Sequence, residues 1–347
     1  MRKAATQRGG GFGEGIERGP PEWLCLFLRY PDTIWKLEDT LYDIIPDIHG
    51  QFEKLEHALT SLGYARRNGA WRHSDPRRIC VFLGDFIDRG PRNEDVIALV
   101  RGMLDAGTAL AVMGNHELNA IHFHTKHPET GAPLRPWSPK NLRQHQSFLD
   151  EFPPESTATR DAIGWMRSLP LYLKLDGLHA VHAFWDEGRI ARLDGETSLG
   201  VLSEEKLIRA ADPVDPLNDM VETITKGPEV ALPNGHSFAD KDGNIRTEVR
   251  VKWWNGQGQS WADIAMSVPE PDDLPKGELP ADVSAMVYPE TAKPVFFGHY
   301  WLTGRPVLQA PNALCLDYSA GKDGPLMSYT MDGENPLTLD KIKHQGD

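Results

Sequence analysis

Polar side chains able to bind metal ions follow three apolar runs of the chain, "LYDII", "RICVFL" and "TALAVM", at the points where those runs end. The residues that follow the three runs are, in order, Asp47 and His49, then Asp85, Asp88 and Arg89, and then Asn115, His116 and Glu117. Ligands of open α/β sheets bind outside the carboxyl ends of the strands. If the three runs are parallel strands, we expect these side chains to meet at one place.

The residue types fit a pair of metal ions. Asp47 and His49 offer an oxygen and a nitrogen to one ion, the two carboxylate oxygens of Asp85 could bridge, and Asn115 offers a neutral oxygen to a second ion. Two ions that share a bridging ligand are a recurrent device of phosphoryl chemistry. Two histidines at the ends of later apolar runs could complete the set, namely His182 in "AVHAFW" and His299 in "VFFGHYW".

The elements between these positions predict how the chain brings them together. The segment "GQFEKLEHALTSLGY" has apolar residues at helical spacing, and "PRNEDVIALVRGMLDAG" has the pattern of a second amphipathic helix. Strands and helices therefore alternate, which is typical of a parallel α/β sheet. Further on, "LYLKLDGLHAVHAFW" predicts a hairpin, and "KPVFFGH", "PVLQA", "NALCLDYS" and "LMSYTM" predict further strands.

Five short motifs keep a fixed order along residues 41 to about 332. They are D-x-H at 47–49, G-D-x-x-D-R-G at 84–90, G-N-H-E at 114–117, V-H-A at 181–183 and G-H at 298–299. This series resembles the calcineurin-like metallophosphoesterase superfamily. The D-R-G and N-H-E motifs look most like its phosphoprotein phosphatase branch and bacterial relatives, which include diadenosine tetraphosphate hydrolases.

The resemblance implies a four-layer αββα sandwich, with inserted lid segments, that holds two divalent metal ions at one edge. Asp47, His49 and Asp85 would bind the first ion, and Asp85, Asn115, His182 and His299 the second. The mixture of imidazole and carboxylate suits Mn²⁺, Fe or Zn²⁺, and we expect Mn²⁺ to activate the enzyme in vitro.

In the mechanism that this site suggests, a metal-bridging hydroxide attacks phosphorus in line. His116 is the candidate general acid for the leaving oxygen, and Asp88 could fix its tautomer. Arg89 could bind two phosphoryl oxygens, together with Asn115 and His116. Asp88 could instead cap a helix, and Arg89 could instead pair with Glu117.

Two positions depart from the resemblance. Trp301 stands where many superfamily members have a second histidine, as in the phosphatase branch. Val112 stands where phosphoprotein phosphatases usually have an arginine, so a phosphate-binding group must come from elsewhere. The candidates are Arg305, which we favour, and Arg246, Arg250 and Arg143.

Other histidines and aromatic residues have simpler interpretations. We expect His179 to be packed or exposed, His236 not to be a ligand, and Trp253 and Trp254 to pack in the core. The remaining group, expected at the surface or lining a pocket, comprises His122, His124 and His127.

The domain organisation predicted from composition has three parts. Residues 1–40 form a flexible N-terminal extension, residues 41–335 the metallophosphoesterase domain, and residues 336–347 a C-terminal tail. Insertions at about 123–160 and 186–290 are expected to cover the cleft.

Composition restricts the partners. The net charge of −13 disfavours binding to nucleic acid or anionic lipid, and the run "WLCLFL" is too short to span a membrane. Three scattered cysteines argue against a disulfide scaffold. The basic first residues precede no long apolar region, so we expect a cytoplasmic enzyme. Oligomeric state has no signature in the sequence.

Three functions remain open at this point. The first, which we favour, is hydrolysis of phosphomonoesters, including phosphoproteins, and the alternative is hydrolysis of dinucleoside polyphosphates such as diadenosine tetraphosphate. The third is a catalytically inactive scaffold that binds a partner. The presence of all the candidate metal ligands argues against the scaffold.

Overall fold

The computed structural model describes residues 40–240 and 243–344. The predicted N-terminal extension therefore lies outside the described residues, apart from residue 40. The helices are α1 (Phe52–Ser61), α2 (Asn93–Asp105), α3 (Asn115–His124), α4 (Pro139–Glu151), α5 (Thr157–Met166), α6 (Glu187–Glu196), α7 (Glu204–Ala210), α8 (Pro216–Lys226), α9 (Trp261–Ile264) and α10 (Ala281–Ser284).

A five-stranded sheet contains the first three apolar runs. The strands of this sheet are β1 (Leu41–Ile45), β4 (Arg78–Phe82), β5 (Ala109–Ala111), β15 (Ser328–Met331) and β16 (Ile342–Lys343), and a separate hairpin is formed by β2 (Tyr64–Arg67) and β3 (Ala70–His73). The order in the sheet is β16-β15-β1-β4-β5, in which β1, β4 and β5 are parallel and β15 and β16 are antiparallel to their neighbours.

A four-stranded sheet contains the later histidine motifs. Its strands are β6 (Tyr172–Lys174), β7 (His179–Val181), β13 (Val295–Phe297) and β14 (Ala313–Cys315). Their order is β14-β13-β7-β6, with β7, β13 and β14 parallel and β6 paired with β7 as the predicted antiparallel hairpin.

The two sheets pack face to face, and side chains that alternate along each strand separate two cores. Ile44 and Val81 lie in a buried cluster with Phe296 and Leu314 of the other sheet. Their neighbours in sequence lie instead in a cluster with apolar residues of the helices, as Phe82 does. The predicted four-layer αββα sandwich is therefore confirmed.

The second insertion builds a small satellite unit. Its strands are β8 (Glu229–Ala231), β9 (Phe238–Ala239), β10 (Ile245–Arg246), β11 (Glu248–Val251) and β12 (Ala265–Met266). Strands β8, β11 and β12 form an antiparallel sheet. Phe238, Val251 and Trp261 belong to its separate hydrophobic cluster.

Three predicted elements differ from the structure. "PVLQA" at 306–310 forms no strand, and the G-N-H-E motif begins helix α3 rather than ending a strand. The segment predicted as a C-terminal tail contains β16, which pairs with β15 and extends the sheet beyond residue 335. No helix within the described ranges is long and apolar enough to cross a membrane.

Candidate active site

The predicted metal ligands meet at the edge where the parallel strands of both sheets end. Asp47, His49 and Asp85 follow β1 and β4 and are almost fully buried. The others lie at the start of α3 and after β7 and β13, and they are Asn115, His182 and His299. Residues distant in sequence thus converge because β1, β4, β7 and β13 all end at this edge.

Asp85 stands between two groups of nitrogen and oxygen atoms. Its Oδ2 atom lies 3.6 Å from His49 Nε2, and its Oδ1 atom lies 3.4 Å from His182 Nε2. Within the described residues, two sets of side chains could each hold a metal ion, one containing His49, Asp85 and His116 and the other Asp85, His182 and His299. Asp85 belongs to both sets, as a bridging ligand must.

Asn115 lies beside two histidines of the second set. Its Oδ1 atom lies 3.1 Å from His182 Nε2 and 2.8 Å from His299 Nδ1. A neutral amide oxygen surrounded by imidazole nitrogens is a suitable ligand for a cation.

Asp47 is buried beside the loop that holds His299 and belongs to neither of the two sets. The backbone N–H of His299 donates to both carboxylate oxygens of Asp47, at 3.1 and 3.0 Å. This approach requires glycine at position 298, because a Cβ atom there would lie 1.9 Å from Asp47 Oδ1. The G-H motif therefore positions Asp47 as well as presenting the histidine.

The donor atoms fit metal ions by an independent criterion. His49 Nε2 and His299 Nε2 are buried and lack a hydrogen-bond partner within the described residues, and such unsatisfied atoms are costly unless a ligand occupies them. The other ring nitrogen of His49 contacts the carbonyl of Ile87 at 3.0 Å, and that of His182 contacts the carbonyl of Leu83 at 2.7 Å. Backbone contacts of this kind orient metal-binding histidines.

The backbone at the site is strained. His49, Asp85, Asp88, Arg89 and His299 all have φ between 51° and 73°, a region that residues other than glycine rarely adopt. Such conformations cluster at functional sites because the surrounding structure must hold them in place.

Glu117 holds the loop after β4 in its strained conformation. Its carboxylate accepts hydrogen bonds from the backbone N–H groups of Asp85 and Phe86, both at 2.8 Å, and from Gly114 at 3.0 Å. The fully buried side chain thus joins the second and third motifs and does not face the pocket, and the alternative pairing with Arg89 does not occur.

If His182 holds a metal ion as predicted, the electrostatics of the site should make metal loading dependent on pH. Burial disfavours a charged imidazole, but Asp85 and Asp47 outweigh it and raise the pKa of His182 to about 10. A metal ligand must be deprotonated. Binding should therefore release protons, and metal affinity should fall as the pH is lowered.

We expect calorimetric titration of the metal-free protein at pH 7, in buffers of different ionisation enthalpy, to show release of at least about one proton per chain. His179→Gln is the control, because burial lowers the pKa of His179 to about 4 and this histidine is already neutral. A heat of binding independent of the buffer would contradict the prediction.

His116 and Asp88 form the predicted pair. His116 Nδ1 lies 2.5 Å from Asp88 Oδ2. Burial alone would raise the pKa of Asp88, but hydrogen bonds from His116 and His145 outweigh it and hold this pKa well below its usual range. The ionised carboxylate makes His116 Nδ1 a donor, so Nε2 is directed toward the site, 4.0 Å from Asp85 Oδ2.

His145 was missed by the sequence analysis. Its Nδ1 atom lies 2.8 Å from the other carboxylate oxygen of Asp88. No spacing rule connects it with the motifs, because it lies on α4 within the first insertion. Asp317 was also missed, although it follows a strand, β14, at the same edge; its carboxylate accepts from the backbone of Trp301 at 2.6 Å.

A cavity of about 430 Å³ opens beside these residues. Asp85, Arg89, Asn115, His116 and His299 line one side. The remaining side is formed largely by both insertions, which contribute Phe123, Arg135, Lys140, Asn141, Gln144, His145, Lys226 and Arg250.

The position of Arg305 differs from the expectation that it supplies the missing phosphate-binding group. Arg305 is exposed and does not line the cavity, and the same holds for Arg143, whereas Arg246 lines a different cavity. Arg250 is the one of the four candidates that reaches the active-site cavity. Residues 303–305 of the loop after His299 are exposed, and their exposure could not be predicted from their position in the sequence.

Most of the simpler interpretations agree with the structure. His179 stacks on Trp185 with ring centroids 3.9 Å apart, and His236 is exposed. Trp253 and Trp254 are buried in the core. His122, in contrast, is buried and contacts the carbonyl of Leu207 at 3.1 Å, so it is neither at the surface nor in the active-site cavity.

The αββα sandwich and the cluster of side chains able to bind metal ions at its edge are the features that the resemblance of the five motifs implies. The family model for calcineurin-like phosphoesterases matches residues 42–299. The chain therefore belongs to the calcineurin-like phosphoesterase family.

Relatives of known name match shorter parts of the chain. It is 47% identical over 74 residues to the asymmetrical bis(5'-nucleosyl)-tetraphosphatase PrpE of Oceanobacillus iheyensis, covering 21% of this chain and 29% of that one. For the PrpE of Bacillus subtilis the identity is 43% over 85 residues, covering 24% and 34%. The chain thus spans about a third of the length of these relatives.

One solved structure supports the fold. A protein serine/threonine phosphatase from Saccharomyces cerevisiae superposes with a TM-score of 0.50 at 13% identity, covering 89% of this chain and 80% of that one. At this identity the likeness concerns the fold alone.

Proposed function

We propose that the chain hydrolyses nucleotides with several linked phosphates, and that dinucleoside polyphosphates are its substrate class. The observation that supports this most is the set of cations in the cavity beyond the metal ligands. Arg89, Arg135 and Lys140 line the cavity and make no ion pair with any described residue. The amide oxygens of Asn141 and Gln144 hold Arg135 instead, at 3.1 and 2.9 Å.

The charge of the cavity favours dinucleoside polyphosphates over phosphomonoesters. A phosphomonoester brings about two negative charges, which two divalent ions already neutralise. A tetraphosphate bridge brings about four and needs further cations along its length. The volume of about 430 Å³ is within the range of small-molecule sites, and the two PrpE relatives bear the name of a nucleotide hydrolase.

The site residues have the following proposed roles. Two bound divalent ions, Mn²⁺ in our expectation with Fe or Zn²⁺ as alternatives, would be held by Asp47, His49, Asp85, Asn115, His182 and His299, and would neutralise substrate charge and activate water. Arg89 binds the reacting phosphoryl group. As the oxygen of water bonds to phosphorus and the P–O bond to the leaving group breaks, His116 Nε2 gives the leaving oxygen a proton. The attacking water releases one proton to solvent, and His116 takes one back from solvent before the next turnover.

A second candidate is a phosphomonoesterase that acts on phosphoserine or phosphothreonine. The His116–Asp88 pair favours it, because an alkoxide leaving group depends on a general acid far more than a phosphate leaving group does. Comparison of kcat/KM for diadenosine tetraphosphate, a phosphopeptide and p-nitrophenyl phosphate separates the two.

A sharper test replaces Arg135 and Lys140, the two cavity-lining cations of the first insertion that make no ion pair with described residues. We expect Arg135→Gln with Lys140→Gln to lower kcat/KM for diadenosine tetraphosphate by at least about ten-fold, since each lost charge-assisted hydrogen bond costs about 1.5–3 kcal/mol. The value for p-nitrophenyl phosphate should change by less than about two-fold, because its single phosphate lies on the metal ions.

Arg143→Gln is the matched control, because Arg143 lies on the same helix but is exposed and outside the cavity. It should leave both substrates unaffected. Equal losses on both substrates in the double variant, or none, would refute the role of Arg135 and Lys140 and favour the phosphomonoesterase.

A further inference from the structure

Asp88 interacts with two imidazoles through its two carboxylate oxygens. His116 Nδ1 lies 2.5 Å from Oδ2, and His145 Nδ1 lies 2.8 Å from Oδ1. Hydrogen bonds from the two imidazoles keep the pKa of Asp88 low, so its carboxylate is ionised. Because an ionised carboxylate can only accept hydrogen bonds, both nitrogens donate. The side chain of Asp88 is 4% exposed and that of His145 6%, so water does not compete effectively for either bond.

His145 is itself fixed from the opposite side. Its Nε2 atom lies 3.2 Å from His124 Nε2, and its ring stacks on Phe148 with centroids 4.7 Å apart and planes 15° apart. Burial and His145 lower the pKa of His124 to about 4, so His124 is neutral. One proton between the two Nε2 atoms then completes a chain from His124 through His145 and Asp88 to His116.

Helix α4, which carries His145, is anchored independently of that histidine. Ser138 caps the N-terminus of the helix, and its side chain accepts a hydrogen bond from the backbone N–H of Asn141. At its other end, Glu151 accepts from the backbone N–H groups of Asn93 and Glu94, at 2.7 and 2.9 Å, and so caps α2. Loss of the His145 imidazole should therefore leave α4 in place and affect mainly Asp88.

We propose that His145 is a positioning residue for proton transfer. By donating to Oδ1 it fixes the plane of the Asp88 carboxylate, and this aims Oδ2 at His116 and holds Nε2 of that imidazole toward the leaving oxygen. Without it the carboxylate can rotate about its Cβ–Cγ bond, and the general acid loses its orientation. The inference rests on the proposed hydrolase function and on the role of His116 as the acid.

The test uses aryl phosphates whose leaving groups differ in basicity, with the metal-loaded full-length protein. A misaligned general acid slows the departure of a poor leaving group but hardly affects a good one. We expect His145→Phe to lower kcat for phenyl phosphate by about 10–100-fold and kcat for 2,4-dinitrophenyl phosphate by less than about three-fold. KM and metal content should be nearly unchanged.

Two variants control for packing. His145→Asn keeps a donor near the position of Nδ1 and should recover most of the phenyl phosphate activity. His122→Phe removes another buried imidazole of the first insertion, one that contacts Leu207 and not Asp88. It should lower the melting temperature without changing the dependence on the leaving group.

The outcomes separate this proposal from the wider one. If His145→Phe slows both aryl phosphates equally, or if His145→Asn is as impaired as His145→Phe, the positioning role is wrong and hydrolysis by the wild-type chain stands. If the metal-loaded wild type hydrolyses neither diadenosine tetraphosphate nor any phosphomonoester, the proposed function itself fails.

Discussion

Asp85→Asn should abolish hydrolysis and metal loading together. The carboxylate of Asp85 is the one side chain common to both candidate metal sets, with an oxygen toward His49 and an oxygen toward His182. An amide has one coordinating oxygen and no charge, so it cannot serve two cations. Because two ions supply several kcal/mol of transition-state stabilisation, we expect a loss on the order of 10³-fold or more.

Elemental analysis after Mn²⁺ reconstitution, together with kcat/KM, measures this result. Asp43→Asn is the matched control, because Asp43 is an equally buried carboxylate that pairs with Arg78 at 3.1 Å, away from the site. This control should lose stability but retain metal and activity. An Asp85→Asn protein with its full metal content would refute a bridging role.

His116→Gln should retain metal and lose rate. If His116 is the general acid, its removal should lower kcat for phenyl phosphate, which has a poor leaving group, by about 10²–10⁴-fold while metal content stays at the wild-type level. Burial opposes protonation of this imidazole, but Asp85 and Asp88 outweigh it and raise the pKa of His116, so the form that can donate a proton is favoured.

The same experiment tests a specific alternative. His116 belongs to one of the two sets that could hold an ion, together with His49 and Asp85. If His116→Gln loses metal to the same extent as Asp85→Asn, His116 is a ligand rather than an acid. The loss of kcat should also be larger for phenyl phosphate than for 2,4-dinitrophenyl phosphate, as in His145→Phe but to a greater degree.

In the proposed function, substrate preference and catalysis depend on residues from different parts of the fold. The residues proposed to hold the metal ions follow strands of the two central sheets, whereas the cations Arg135, Lys140, Lys226 and Arg250 come from inserted segments. Lys226 and Arg250 are partly neutralised by Glu222 and Glu229. Substrate preference can therefore be changed through Arg135 and Lys140 without altering the residues proposed to hold the metal ions.

From the sequence by itself, the resemblance of the five motifs implied the αββα sandwich, and the apolar runs with polar residues after them predicted the side chains that converge at its edge. Apolar runs such as "LYDII" and "RICVFL" predict buried strands. Polar residues directly after such strands are expected at the carboxyl ends of a parallel sheet, where ligands bind. Asp47, Asp85 and His182 could be found for this reason, and Asp317 could have been found by the same rule.

Only the tertiary structure decided which residues of the insertions reach the site. His145 faces Asp88 because Glu151 docks α4 onto α2, whereas Arg305 is exposed and does not line the cavity. Residues of the insertions do not follow strands of the central sheets, so their position at the site cannot be predicted from a strand end. The docking of the insertions depends on contacts between residues far apart in the chain. Periodicity and local spacing carry no information about such contacts, so the substrate-facing cations and the second histidine on Asp88 appear only in three dimensions.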